Sequence, residues 1–348
     1  MRRMSILVLP AVAIAMGLGV APHAQAQALP PHDPVDPAVQ LDAAAQTQAS
    51  IAISTAEQIS RRFAPVANAF SVPGAPTGTA TGSEGLAGGD VMLLDGWSVW
   101  GSLVGRRTEN SFAPEQQDSD IWTLSMGMDR PVSDRITLGV SVTGTMEDST
   151  TAFGTGSRDT GSVYISPYAN FKLNDWLSAD VSLGYGYADA DQVRSVFGAP
   201  VTGSYDSDTL FGAANLTASK WSGAWLMSGA VGLSASSTKR HAFVESDTTV
   251  NPSDSSQLIQ GRIGGTLGFW TEPLLPYLSA EYVYDLDDNP STVAGAPNDR
   301  DEFRVTLGSH IYGTGDNQKL SGGLSISHTI GRKSKEDTSA NFSMRIAF

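Results

Sequence analysis

Beyond residue 95 the chain reads in twos. Trp122, Leu124, Met126 and Met128 alternate with Thr123, Ser125, Gly127 and Asp129. Ile136, Leu138, Val140 and Val142 alternate with Thr137, Gly139, Ser141 and Thr143. Leu177, Ala179, Val181, Leu183, Tyr185 and Tyr187 share one face of a third such run, and Phe303, Val305, Leu307 and Ile311 one face of another. A period of two is the signature of a strand with one apolar and one polar face. Counted from Trp97 to Phe348, about twelve such segments occur, each near the ~9–11 residues that cross a bilayer when tilted. The last, "TSANFSMRIAF", keeps Phe342, Met344, Ile346 and Phe348 on one face up to the final residue.

The connections sort themselves. "RPVSD", "KLND", "SKWSGA", "WTEPLL" and "GTGDN" are short, and longer polar stretches such as "DADQVRSVFGAPVTGSYDSD" and "STKRHAFVESDTTVNPSDSS" fall between them. Long and short alternate along the chain. A soluble sandwich has no reason to do this, whereas a membrane barrel with turns at one rim and loops at the other produces it. The predicted fold is therefore all-β, a transmembrane antiparallel β-barrel of about twelve strands over residues 96–348. Such a sheet tolerates no open edge in lipid, so the terminal strand must close on the first.

Residues 27–95 read differently. A proline-rich start is followed by "QLDAAAQTQASIAISTAEQISRRF", which lacks Pro and Gly and is rich in Ala and Gln. This predicts an α-helix over about residues 41–62, with a run of about 24 residues spanning roughly 36 Å. A Gly/Pro-rich linker follows. Residues 1–26 carry two arginines, an apolar run and Ala24-Gln25-Ala26. They read as a secretory signal peptide cleaved between Ala26 and Gln27.

Composition narrows the possibilities only slightly. A hydrophobic fraction of 41% and mean hydropathy of -0.11 suit a soluble domain and an outer-membrane barrel equally. The net charge of -14 and a pI near 4.6 argue against nucleic acid as a partner. With no cysteine there is no disulfide framework and no lipid-anchor thiol.

The closing strand, with its carboxy-terminal Phe348, resembles the signature read by the bacterial outer-membrane barrel assembly machinery. "WSVWGSLVG", "WTLSMGMDRPVSDRITLGVSV", "PYANFKLNDWLSADVSLGYGYA", "PLLPYLSAEYVYD" and "NFSMRIAF", in that order, resemble the strands of autotransporter translocator domains. The resemblance covers about residues 90–348. It implies a Gram-negative outer membrane, type V secretion, both barrel termini in the periplasm, and a helix threading the pore. Phe342, Met344, Ile346 and Phe348 become the expected assembly signal. Two features depart from the family pattern: the linker between helix and barrel is long, and only about sixty residues separate the signal from the barrel. The helix is thus expected either in the lumen or in the periplasm. The expected function is a translocator with little or no passenger, which moves or anchors an N-terminal segment. The alternatives are a small passive pore or structural barrel and, third, an outer-membrane lipid hydrolase.

The strand register also yields candidate lumen residues. Arg135, Asp180, Arg262, Glu281, Asp285, Arg304 and Arg345 fall on the polar face with mixed sign, which suits ion pairing inside a wet lumen. Gly127, Gly139, Gly184, Gly186, Gly264, Gly268 and Gly308 fall there too. They either admit a closely approaching backbone or relieve curvature. Among the five histidines none has a strand-compatible nucleophile beside it, since Ser327 projects opposite to His328. The expectation is a non-enzyme without cofactor or metal site. Its partners are outer-membrane lipid, lipopolysaccharide and the assembly machinery, and the barrel is monomeric. The topology makes a direct prediction. An epitope inserted near Asn251 is labelled on intact cells and one near Asn174 is not; labelling at Asn174 on sealed cells refutes the orientation.

Overall fold

The computed structural model describes residues 37–61, 96–112, 116–151, 156–288, 300–313 and 320–347. The expected signal peptide, its cleavage at Ala26–Gln27, most of the proline-rich segment, the linker and Phe348 lie outside them. One helix, α1 (Pro37–Arg61), precedes β1 (Ser98–Asn110), β2 (Gln117–Ser133), β3 (Ile136–Thr151), β4 (Gly156–Lys172), β5 (Leu177–Val196), β6 (Ala199–Ser222) and β7 (Trp225–Arg240). A small hairpin of β8 (Phe243–Val244) and β9 (Val250–Asn251) comes next. Then follow β10 (Asp254–Phe269), β11 (Leu274–Asp288), β12 (Asp301–Tyr312), β13 (Leu320–Ile330) and β14 (Lys335–Ala347). Twelve of these strands pair antiparallel into one closed barrel, and β8–β9 form a separate two-stranded sheet.

Closure is made at the seam the sequence demanded. β1 pairs with β14 from Ser98↔Ala347 to Asn110↔Lys335, with Leu103 opposite Phe342 and Val99 opposite Ile346. Every barrel strand therefore has two neighbours, and no ladder edge of the barrel meets lipid.

Burial is inverted relative to a soluble protein. Leu124, Met126, Leu183, Leu307 and Phe342 are more than half exposed, while Ser125, Ser141, Thr143 and Ser182 are buried. The apolar register faces lipid and the polar register faces the lumen. Trp176, Trp225 and Phe269 mark the outer surface near the short turns, and Trp122, Tyr185, Tyr187 and Tyr284 mark it toward the long loops. Along β5, ten residues separate Leu177 from Tyr187. At a tilt near 40° that is about 25 Å of height, the expected apolar band.

The strands are longer than the sequence predicts. β6 runs for 24 residues and β5 for 20. The stretch read as a long loop between them is a continuous hairpin that turns only at Phe197–Gly198, both with positive φ. Above the lipid the outer face meets water, so the apolar alternation stops while the backbone ladder continues. Period two reports burial, not pairing. The β8–β9 hairpin rests on this extension. Phe243 packs on Tyr205 with ring centroids 5.0 Å apart, and Arg194 donates to Glu245. Burial alone would raise the Glu245 carboxyl, but the paired Arg194 guanidinium holds it below its ordinary value.

Five of the seven inward glycines have a more specific reason than either reading from sequence, while a Cβ on Gly264 would meet the backbone of Ala280 and Glu281. Trp100 is directly opposite Gly127, Tyr168 opposite Gly139, Tyr164 opposite Gly186, Phe211 opposite Gly184, and Tyr277 opposite Gly308. In each pair the ring lies where the glycine lacks a side chain. A Cβ on Gly139 would sit 2.3 Å from Tyr168 Cζ, and one on Gly186 2.1 Å from Tyr164 Cδ1. Rings that would otherwise block the lumen lie flat along the wall. Replacing Gly186 with Leu should lift Tyr164 off the wall and cost about 1–3 kcal/mol. The measurement is the temperature at which the barrel loses its heat-modifiable gel mobility. Gly161→Leu, at a position where a Cβ meets nothing within 4 Å, is the control that should not shift it.

Candidate functional site

A barrel of about eight strands is filled by its own side chains; twelve strands enclose more space. The space is occupied by α1, whose composition suits it. Ala49, Ala52 and Ala56 are fully buried, and Ile51, Ile53 and Ile59 nearly so. Small residues let a helix approach a curved wall closely, and its few larger apolar side chains meet the flattened rings. Ile51, Ala52 and Ala56 cluster with Tyr164, Phe211, Ala213 and Ile121. Ile59 clusters with Trp100 and Tyr168. Tyr164 and Phe211 meet edge to face at 5.7 Å. The indole N–H of Trp100 donates to Tyr168 Oη at 2.8 Å, and Tyr168 donates to Asp129 at 2.9 Å.

Polar contacts fix the helix along its length. Toward the long-loop end, Gln48 donates to Glu147 at 3.0 Å and accepts from Tyr164 at 3.0 Å. Glu147 is itself buried and held by Arg158 at 2.8 Å. Further down, Ser125 donates to Gln58 at 3.0 Å. At the lower turn Ser60 donates to Asp180, and Asn215 donates to both Ser60 and Asp180.

The centre of the site is Glu57. Its Oε1 is 3.0 Å from Arg262 Nη1 and its Oε2 is 2.8 Å from Arg304 Nη1. The carboxylate is almost entirely shielded from water. A buried charge persists only when paired in this way, and removing one partner of such a pair typically costs about 3–5 kcal/mol. Arg262 comes from β10 and Arg304 from β12, the strands on either side of β11. Arg61, one helical turn beyond Glu57, lies 3.4 Å from it and 3.9 Å from Glu281.

The predicted lumen residues fall into three groups. Asp180, Arg262, Glu281 and Arg304 converge on the lower half of α1. Asp285 and Arg345 face inward but serve the wall: Asp285 pairs with Arg332 at 2.9 Å and accepts from Gln260, and Arg345 donates to Ser98 and lies 3.7 Å from Asp129. Arg135 does not line the lumen. It is exposed in the tight Asp134–Arg135 turn, because β3 begins one residue later at Ile136. Phe342, Met344 and Ile346 stand on the outer face of β14. His310 stacks on Tyr277 inside the lumen at 4.9 Å, while His328 is exposed on the opposite register and accepts or donates to Thr338.

Sequence reasoning missed Glu57, Asn215, Glu302 and Arg332. Glu57 left a signal. From Ala43 to Arg61 it is the sole acidic residue, in a helix otherwise built of small and neutral polar side chains.

Known proteins share the barrel fold. The Autotransporter beta-domain family model matches residues 99–340. Among curated proteins none matches the chain. The translocator domain of autotransporter NalP from Neisseria meningitidis is similar in fold, with a TM-score of 0.65 at 15% identity over 88% of this chain and 100% of that one. The β-domain of the Bordetella autotransporter BrkA gives 0.60 at 16% identity over 73% and 100%. The transport unit of AIDA-I from Escherichia coli gives 0.57 at 13% over 72% and 90%. With its closed barrel of twelve lipid-facing strands, this chain is a bacterial outer-membrane protein and belongs to the autotransporter β-domain family.

Proposed function

We infer that the chain is a translocator that carries its own N-terminal segment to the outer membrane and holds it there, with α1 as the plug that remains in the pore. The observation that carries this reading is the fit of α1 to the lumen: a weakly apolar, small-residue helix with one buried carboxylate on two arginines. A passive pore has no need of such a seat. The barrel acts as a monomer in lipid and lipopolysaccharide, with both of its ends periplasmic and its long hairpins outside. It carries no catalytic role. An N-terminal leader cleaved at Ala26–Gln27 takes it across the inner membrane.

Planar-bilayer conductance tests the plug. Deleting residues 41–62 should raise single-channel conductance several-fold over the full chain. Equal conductance, or ready cleavage of the helix by protease in the periplasm of intact cells, favours the open-pore alternative.

Assembly is read from the outer face of β14. Phe342, Met344 and Ile346 present an apolar row beside the seam with β1, and Phe348 continues that register in sequence. Deleting residues 344–348, or Phe348→Ala, should lower the yield of heat-modifiable barrel in the outer membrane by removing the recognition face and shortening the closing ladder. Wild-type yield after the deletion defeats this assignment.

A further inference from the structure

We propose that Arg262 and Arg304 form a carboxylate receptor at mid-lumen, which reads a single acidic side chain on the polypeptide inside the barrel and sets the register at which that chain stops. The proposal rests on the plug reading and adds what positions the plug.

The receptor is built into the wall. Arg262 crosses the strand beside it to reach Asn215 Oδ1, to which its Nε donates at 3.2 Å. The crossing is possible because the residue opposite is Gly232, where a Cβ would lie 2.6 Å from Arg262 Nε and 2.1 Å from Asn215 Oδ1. Asn215 is oriented in turn, since its amide donates to Asp180 at 2.8 Å. Arg304 is braced from the other side by Glu302 at 3.2 Å, which Arg332 holds at 2.8 Å. Two arginines on β10 and β12, each braced by the wall, thus aim one guanidinium nitrogen apiece at the two oxygens of one carboxylate. This is the geometry that recognises a carboxylate specifically.

The helix offers one ligand. Between Ala43 and Arg61 only Glu57 is acidic, and the next acid toward the N-terminus, Asp42, stands 15 residues or about 22 Å away along the axis. Small side chains at Ala52 and Ala56 meet the rings of Tyr164 and Phe211, and Ala44 and Ala49 are buried beside them along the helix. A one-turn slip of 5.4 Å brings Thr55 or Thr47 to the seat of Ile51 and takes Glu57 out of reach of both arginines. The buried charge therefore adds to packing a penalty on every register in which Glu57 misses the two arginines.

The chain lacks cysteine, so introduced thiols report position without background. Gln48 on the helix and Ser162 on the wall meet inside the lumen, 3.5 Å apart at their side-chain oxygens. In the full-length chain, Gln48→Cys with Ser162→Cys should be joined by a short thiol-specific cross-linker. Failure of this pair would overturn the plug reading itself. Moving the carboxylate one turn, with Glu57→Ala and Ile53→Glu together, should draw the helix by about 6 Å. The cross-link to Ser162→Cys then transfers from Gln48→Cys to Ala44→Cys. A cross-link that stays at Gln48→Cys in a folded barrel overturns the receptor and gives the register to the aromatic seat. Should the double variant fail to fold, Glu57→Gln serves. Its Gln48–Ser162 cross-linking yield should fall several-fold while the barrel keeps its heat-modifiable mobility, and a wild-type yield overturns the proposal.

Discussion

The structure depends on a volume problem. Twelve strands closed in lipid leave a lumen that their own inward side chains cannot fill, and an empty polar tube spanning the membrane is a leak. The chain solves this with its own helix. That choice dictates much else: small residues on α1, large rings laid flat against the wall, glycines opposite those rings, and a buried acid–base centre to hold the helix at one height. Each element makes sense only with the others present. Gly139 without Tyr168 is merely a weak point in a strand, and Tyr168 without Gly139 stands in the path of the helix.

Electrostatics and packing divide the work differently here from a soluble core. The helix cannot rely on a strongly apolar face, since much of its surroundings is Ser, Thr, Asn and Gln. Its apolar contacts are few and smooth. The network through Asp180, Ser60, Asn215, Arg262, Glu57, Arg304, Glu302 and Arg332 supplies direction instead. It runs from β5 through the helix to the segment between β13 and β14, and α1 joins its two halves through Glu57 and Ser60. In a low-dielectric lumen such a network is worth little if half-made and much if complete. A helix built to this plan is held chiefly where its carboxylate meets both arginines.

How much of this is legible in the sequence follows from which physical constraints act residue by residue. Lipid on one face and a lumen on the other impose period two on Trp122–Asp129 or Leu177–Tyr187. Strand count, orientation and the seam at Phe342–Ile346 can therefore be read directly. Where lipid ends, that constraint ends, and the extensions of β5 and β6 past Tyr187 read as loop although they pair to the last residue before Phe197. The same limit explains Arg135: a single-residue error at a tight turn moves a side chain from the lumen to solvent. The site is a harder case. Asp180, Arg262, Glu281 and Arg304 can be placed on the inward register, but register alone cannot say which inward residues meet, because that depends on the barrel's shear and on a helix distant in sequence. Asn215 and Glu302 carry no pattern that separates them from other polar lumen residues.

Glu57 is the instructive omission. Attention to the small, neutral character of α1 passes over the acid that breaks that character in its buried stretch. In a segment destined for a confined space, the exception is the more informative residue, since burying a charge is tolerated only where an opposite charge waits for it. The inward arginines of β10 and β12 and the one acid between Ala43 and Arg61 are each unremarkable in isolation. Their complementarity becomes evident once the helix is assigned to the lumen, and it then supports that assignment independently of packing. A helix resting in the periplasm would have no use for an acid at that position, and the two arginines would lose the carboxylate that joins them.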